Sequence, residues 1–195
     1  MKIYILRHED RTQDATLFSP LTKNGLENAI KLIPRCEELR INHIYSSPYI
    51  RTLQTIYPFA KSRGINIKID YSLSEINDPD IIPKNSYGTP LPEYLAKSFI
   101  YNDSYKSTMQ PEEIKYPETF KEVELRIKNF LKNLITNHHK TDDNIIIVTH
   151  QIVCDIILKI GNKKLSDLSY PLGGISLAFE DADWTFKPIN FKPKT

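Results

Sequence analysis

The chain has 195 residues, 40% of them hydrophobic and 26% charged. It is long enough to bury an ordinary core, and too apolar to be disordered or collagen-like. Twenty-six Lys and Arg against 24 Asp and Glu leave a net charge of +2, which gives no reason to expect a nucleic-acid partner. Any anion site must be local. Cys36 and Cys154 form no CxxC pair and fit a reduced, cytoplasmic protein. The apolar run at the N-terminus stops at Leu6, too early for a signal peptide, and no apolar stretch is long enough to span a membrane.

Lys2 to Leu6 is β-branched and aromatic and predicts a buried strand, followed by a polar loop from Arg7 to Pro20. Leu26, Ala29, Ile30 and Ile33 repeat at helical spacing behind Thr22 as N-cap, with a break expected at Pro34. Ile41 to Ser46 predicts a second strand. Leu53, Ile56 and Ala60 then give an inward helical face over residues 49–62, ended by Gly64 and interrupted by Pro58. Ile65 to Ile69 alternates as a third strand.

From Asn77 to Tyr116 the periodicity fails, and the length exceeds an ordinary loop; a partly helical insertion with a function is expected. Thr119 and Glu122 form a capping box for the strongest helix, with Phe120, Val123, Ile127, Phe130, Leu131, Leu134 and Ile135 on one face. Ile145 to Val148 is fully apolar, as in a central parallel strand. Another helix runs through Ile152, Val153, Ile156, Ile157 and Ile160 to Gly161. Ile175 to Phe179 and Trp184 to Ile189 read as a hairpin around residues 181–183. Alternating strands and helices imply an α/β three-layer sandwich: a mostly parallel central sheet, helices on both faces and a small inserted cap.

Three strands end in reactive side chains. The first ends in Arg7-His8, the second in Ser46-Ser47-Pro48 with Arg51 close behind, and the fourth in Thr149-His150. Ligands of open α/β sheets bind outside the carboxyl ends of the strands, so these groups can share one crevice. Two arginines and two histidines there would be a concentrated cation. Guanidinium forks and helix N-termini near Pro48 and Gln151 suit a phosphoryl group.

The pieces LRHE, PLTKNG, YSSPYIRTLQT, SLSE and VTHQ, in this order, resemble the histidine phosphatase superfamily, also called phosphoglycerate mutase-like. The resemblance covers most of the chain and fades between Asn77 and Tyr116. It implies a histidine-phosphatase-like domain over residues 1–195, with residues 77–116 as an inserted lid. It also implies that His8 is the nucleophile that becomes phosphorylated, and that Arg7, Arg51 and His150 bind phosphate, His150 as a cation that also serves catalysis. Glu75 matches the proton donor of the mutase-like branch.

Three positions depart from the family pattern. Glu9 stands where glycine usually follows the first Arg-His, and sets a carboxylate beside the anion site. Gln151 replaces a common glycine. Ile76-Asn77-Asp78-Pro79 follows Glu75 in place of a tryptophan-bearing segment. Asp78 and Glu9 are therefore alternative donors. The cationic cluster would lower the pKa of Glu75 and bound phosphate would raise it, and the sequence leaves that balance open.

The expected activity is hydrolysis of a phosphomonoester through a phosphohistidine, with a small phosphorylated substrate as the partner. A phosphoglycerate mutase and a catalytically silent phosphate-binding protein are the alternatives. A dinucleotide-binding protein is excluded because no GxGxxG follows the first strand. No cofactor is needed and no metal is expected. His138-His139 with Asp142-Asp143 reads as cationic residues at a helix C-terminus, not as a metal site. His43 reads as a half-exposed turn or strand residue, and Cys154 as core. Lys84, Lys97 and Lys106, on the insertion, are candidates for the substrate entrance.

Overall fold

The computed structural model describes residues 1–84, 88–161, 173–180 and 183–191. In chain order the elements are β1 (Lys2–Arg7), α1 (Lys23–Lys31), α2 (Ile33–Glu38), β2 (His43–Ser46), α3 (Ile50–Arg63), β3 (Ile67–Ile69), α4 (Glu93–Lys97), α5 (Phe120–His138), β4 (Asn144–Thr149), α6 (Gln151–Ile160), β5 (Gly173–Glu180) and β6 (Asp183–Asn190). The strands form one sheet in the order β3-β2-β4-β1-β5-β6. The first four run parallel, and β5 and β6 add an antiparallel hairpin beside β1. Residues 181–182 of the expected hairpin turn lie outside the described residues.

Strand alternation divides the core into two layers. Ile3, Ile5, Tyr45, Ile145 and Ile147 face Val123, Ile127 and Phe130 of α5 and Val153 and Ile157 of α6. Tyr4, Leu6, Ile44, Ile146 and Val148 face Leu32, Cys36, Leu53, Ile56 and Phe59 on and beside α1, α2 and α3. Each fully buried Leu, Ile or Phe contributes about 1.5–3 kcal/mol by leaving water. β4 carries Ile145–Val148 between β2 and β1, and helices cover both of its faces. That is why it shows no polar alternation.

Local signals set most element ends. The Thr22 hydroxyl accepts the Gly25 N–H at the start of α1, and the helix breaks before Pro34, which opens α2. Gly64 ends α3 at φ 64°, the left-handed region that glycine enters without strain. Thr119 and Glu122 make a reciprocal capping box on α5. Pro58 is accommodated within α3.

Two helical faces differ from the expectation. Leu26 and Ile30 are exposed, and α1 docks through Gly25 and Ala29. A Cβ on Gly25 would sit 2.2 Å from the Asp10 carbonyl oxygen, so α1 can approach only at a glycine. On α5, Phe120 is exposed, and the buried face includes Arg126.

The described residues between 77 and 116 lie from the carboxyl end of the sheet to its β3 edge. Ile82 packs against Leu17 and Tyr49. Leu91 and Ala96 join the core beside α3, and Asn102 donates its N–H to the Ile67 carbonyl, extending the edge of β3. The buried Asp70 carboxylate then gathers the Tyr105 hydroxyl, the Ser107 hydroxyl and the Thr108 N–H. No described helix is long and apolar enough to cross a membrane.

Candidate active site

Parallel register brings the strand ends together. Arg7 pairs with Thr149 across β1 and β4, and Ser46 with Val148 across β2 and β4. The His8 N–H then donates to Thr149 O at 2.9 Å and the Ser47 N–H to Val148 O at 3.0 Å. His8, Ser47 and His150 therefore leave the sheet side by side. The His8 and His150 rings meet edge to face, with centroids 5.3 Å apart.

The tautomer of His8 follows from its partner. Nδ1 lies 2.7 Å from the Glu9 carbonyl oxygen, which can only accept, so Nδ1 carries the proton and Nε2 keeps its lone pair. Burial, then the charge of Arg51, lowers the His8 pKa to about 3. The ring is neutral across the physiological range.

Arg51, in the first turn of α3, is 1% exposed. Its guanidinium lies 4.4 Å above the Tyr49 ring and donates to the Thr16 carbonyl at 2.9 Å. Burial lowers its pKa to about 10, and it remains a cation at neutral pH. Arg7 donates to Gln151 Oε1 at 3.1 Å, and Gln151 in turn donates to the Asp155 carboxylate. Gln151 thus orients an arginine, a role its position in the sequence did not suggest.

His150 is fully buried. Its Nε2 lies 2.8 Å from Ser47 Oγ, and its ring packs edge-on against Tyr49 at 4.7 Å. Nδ1 is buried without a hydrogen-bond partner, 3.8 Å from Glu75 Oε2. Burial, followed by Arg51 and His8, holds the His150 pKa well below the usual imidazole value. Burial thus works against the cationic His150 expected from the sequence.

The three carboxyl candidates separate. Glu75 is buried against His150, its Oε1 accepts the Ile76 N–H, and burial outweighs Arg51, Arg126 and Arg7 to raise its pKa. Glu9 engages α1 and α3. Its side chain bonds Asn28 of α1, its backbone N–H donates to Thr55, and burial raises its pKa to about 7. Asp78 accepts the Asp80 N–H in a local turn.

The loop bearing Glu75 hangs on a buried ion pair that the sequence reading missed. The Arg126 guanidinium binds both oxygens of Glu118 at 2.7 and 3.0 Å, and both side chains are 2% exposed or less. Arg126 also donates to the carbonyls of Ser72 and Glu75, and Glu118 accepts the Asn77 N–H. The Thr149 hydroxyl adds a bond to the Leu73 carbonyl. Only the interrupted apolar pattern of α5 at position 126 signalled this pair.

Of the remaining candidates, Cys154 lies in the core, where burial raises its thiol pKa. Lys97 pairs with Glu93 on α4, and Lys84 and Lys106 are exposed.

The model of the histidine phosphatase superfamily (branch 1) matches residues 3–190. The chain belongs to that superfamily. Solved structures share the fold of this histidine phosphatase relative at low identity. The ecdysone phosphate phosphatase from Bombix mori, in complex with tungstate, superposes with a TM-score of 0.72 at 15% identity over 100% of this chain and 94% of its own. A mycobacterial glucosyl-3-phosphoglycerate phosphatase gives 0.68 at 14% identity, covering 100% and 99%. Bacillus stearothermophilus YhfR gives 0.67 at 20% identity, covering 94% of each chain. A probable phosphoglycerate mutase GpmB from Shigella dysenteriae serotype 1 (strain Sd197) is 34% identical over 83 residues, 40% of this chain and 39% of that protein. The match thus spans about two fifths of the curated relative.

Proposed function

We propose that the protein hydrolyses phosphomonoesters through a phosphohistidine on His8. The observation that carries this reading is the fixed His8 tautomer: a neutral, buried ring that keeps the Nε2 lone pair, packs against His150 and feels the charges of Arg51 and Arg7. Nε2 attacks phosphorus in line, the N–P bond forms as the ester P–O bond breaks, and the leaving oxygen takes the Glu75 proton. Burial raises the Glu75 pKa, which favours its protonated, donating form. Water then attacks the phosphohistidine, gives its proton back to Glu75, and releases inorganic phosphate and neutral His8.

Arg7, Arg51 and His150 hold the equatorial oxygens, where charge is retained in the transition state. The Ser47 hydroxyl accepts the Tyr49 N–H and can donate to His150 Nε2, which aims Nδ1–H at the anion. In the same proposal residues 77–116 form the lid. Ile82 against Leu17 and Tyr49 bounds the leaving-group side, and the substrate is a small phosphorylated molecule.

Turnover of p-nitrophenyl phosphate tests the reading, with and without chelator and beside His8→Ala. Chelator-resistant turnover with a phosphoryl group trapped on His8 is the expected result. Phosphate binding without turnover would instead identify a silent homologue. The match to a probable phosphoglycerate mutase favours a second reading, phosphoryl transfer. Product analysis on phosphoglycerates, with and without a bisphosphorylated activator, separates it from hydrolysis.

A further inference from the structure

A second histidine cluster lies at the amino end of the sheet. His43 opens β2, His138 closes α5 and Asp143 directly precedes β4. The ligand atoms of these three residues lie within 4.8 Å of one another. The Asp143 carboxylate touches both rings, 2.6 Å from His138 Nδ1 and 3.2 Å from His43 Nε2. The ring centroids are 4.7 Å apart. The run His138-His139 with Asp142-Asp143 supplies only part of this set. His139 places its Nδ1 against the carbonyls of Ile135 and Thr136, and β2 brings His43.

We propose that His43, His138 and Asp143 form a binding site for a borderline divalent cation of the zinc type, with solvent completing the shell. Two imidazoles and a carboxylate are the donors such ions prefer. Donors about 2.0–2.1 Å from a tetrahedral zinc ion stand about 3.3 Å from each other. The two short separations run from the two Asp143 oxygens, one to each ring, and with one donor atom per residue the three lie within 4.8 Å, so a bound ion draws the side chains together.

The backbone beneath the site is fixed. The Lys2 N–H donates to the Asp143 carbonyl at 2.8 Å, and Asn42 and Asn144 bond reciprocally. The Asn42 amide and the Thr141 hydroxyl both donate to the Asp143 carboxylate. Tyr45 Oη lies 3.0 Å from His138 Nε2, and such outer partners orient metal-binding histidines. Binding at Nδ1 moves the ring proton of His138 to Nε2, where the Tyr45 oxygen accepts it. The His43 side chain is 31% exposed and that of His138 8%, so an ion enters past His43.

Lys68 is the competing cation. Its Nζ lies 3.4 Å from His43 Nδ1 and 3.2 Å from Tyr45 Oη. An ion on His43 Nε2 requires a proton on Nδ1, which turns Lys68 away. Ion and ammonium group therefore exclude each other, and Lys68→Met should tighten binding. A purely structural cluster gives no such gain.

The experiment titrates the chelator-treated full-length protein with cobalt(II), followed by visible absorption, and with zinc(II), followed by the thermal midpoint. One saturable site is expected, weakened at least about tenfold in His43→Ala and Asp143→Asn, tightened in Lys68→Met and unchanged in His139→Ala. The Lys68→Met gain tests the site even if a ligand variant unfolds. Absence of saturable binding, or binding lost in His8→Ala and retained in His43→Ala, would overturn the proposal; the latter would move the ion to the other end of the sheet.

Discussion

The sheet carries a pair of histidines at each end, and the two pairs are built on opposite electrostatic plans. At the carboxyl end, His8 and His150 face Arg7 and Arg51, and His150 Nδ1 is buried without a hydrogen-bond partner. At the amino end, His43 and His138 share the Asp143 carboxylate, and their other nitrogens face Lys68 and Tyr45. Burial lowers the pKa of His8, His43 and His150. The neighbours decide what a neutral ring can then do. Beside guanidinium groups it is suited to attack or hold an anion; beside a carboxylate it is suited to hold a cation.

Substitutions sharpen that contrast, and the largest effect belongs to the carboxyl end. His8→Ala should reduce phosphatase turnover to background while leaving the fold intact, read by p-nitrophenyl phosphate kinetics and circular dichroism. Arg126→Leu leaves Glu118 buried and uncompensated. It should cost about 3–5 kcal/mol in urea unfolding, and it should also lower kcat by freeing the Glu75 loop. Glu75→Gln should reduce kcat on alkyl phosphates by about 10²–10⁴-fold. The loss on p-nitrophenyl phosphate should be smaller, because that leaving group needs little protonation.

Acid titration distinguishes the two ends more subtly. His8 titrates near 6.5 when unfolded and at about 3 when folded, so between these values the unfolded chain binds more protons. Stability should fall as pH drops through that window, and His8→Asn should flatten the slope. Asp143 acts over a lower window. Hydrogen bonds from Thr141 and His138 hold its pKa at about 2 despite burial, so its contribution is full above 3.8 and is lost toward pH 2. The smallest expected effect is on turnover in His43→Ala, which should match the parent protein if the ends are independent.

The carboxyl-end cluster was legible in the sequence because each of its groups ends a strand or starts a helix, where connectivity alone fixes the neighbourhood. His8, Ser47 and His150 meet through register, and register follows from the apolar runs of β1, β2 and β4. The amino-end cluster was only half legible. His138 and Asp143 are close in sequence, whereas His43 reaches them across a parallel pairing that no local pattern announces.

Side-chain packing was harder to read than connectivity. Leu26 and Ile30 repeat at helical spacing and still face solvent, because Gly25 sets how α1 docks. Arg126 interrupts the apolar face of α5, yet Glu118 and two backbone carbonyls, those of Ser72 and Glu75, hold it in the interior.

Asp70 has one further consequence. It is fully buried at the end of β3, caps the turn at Ser72, and holds Tyr105, Ser107 and Thr108. The Tyr71 hydroxyl accepts the Leu91 N–H nearby, and Glu118 fastens Asn77. The long excursion is thus moored to the sheet by a few core side chains, and the chain between those moorings is interchangeable in principle. A chimaera that keeps them while exchanging the intervening residues should fold around the same sheet and leave the ends of β1, β2 and β4 unchanged.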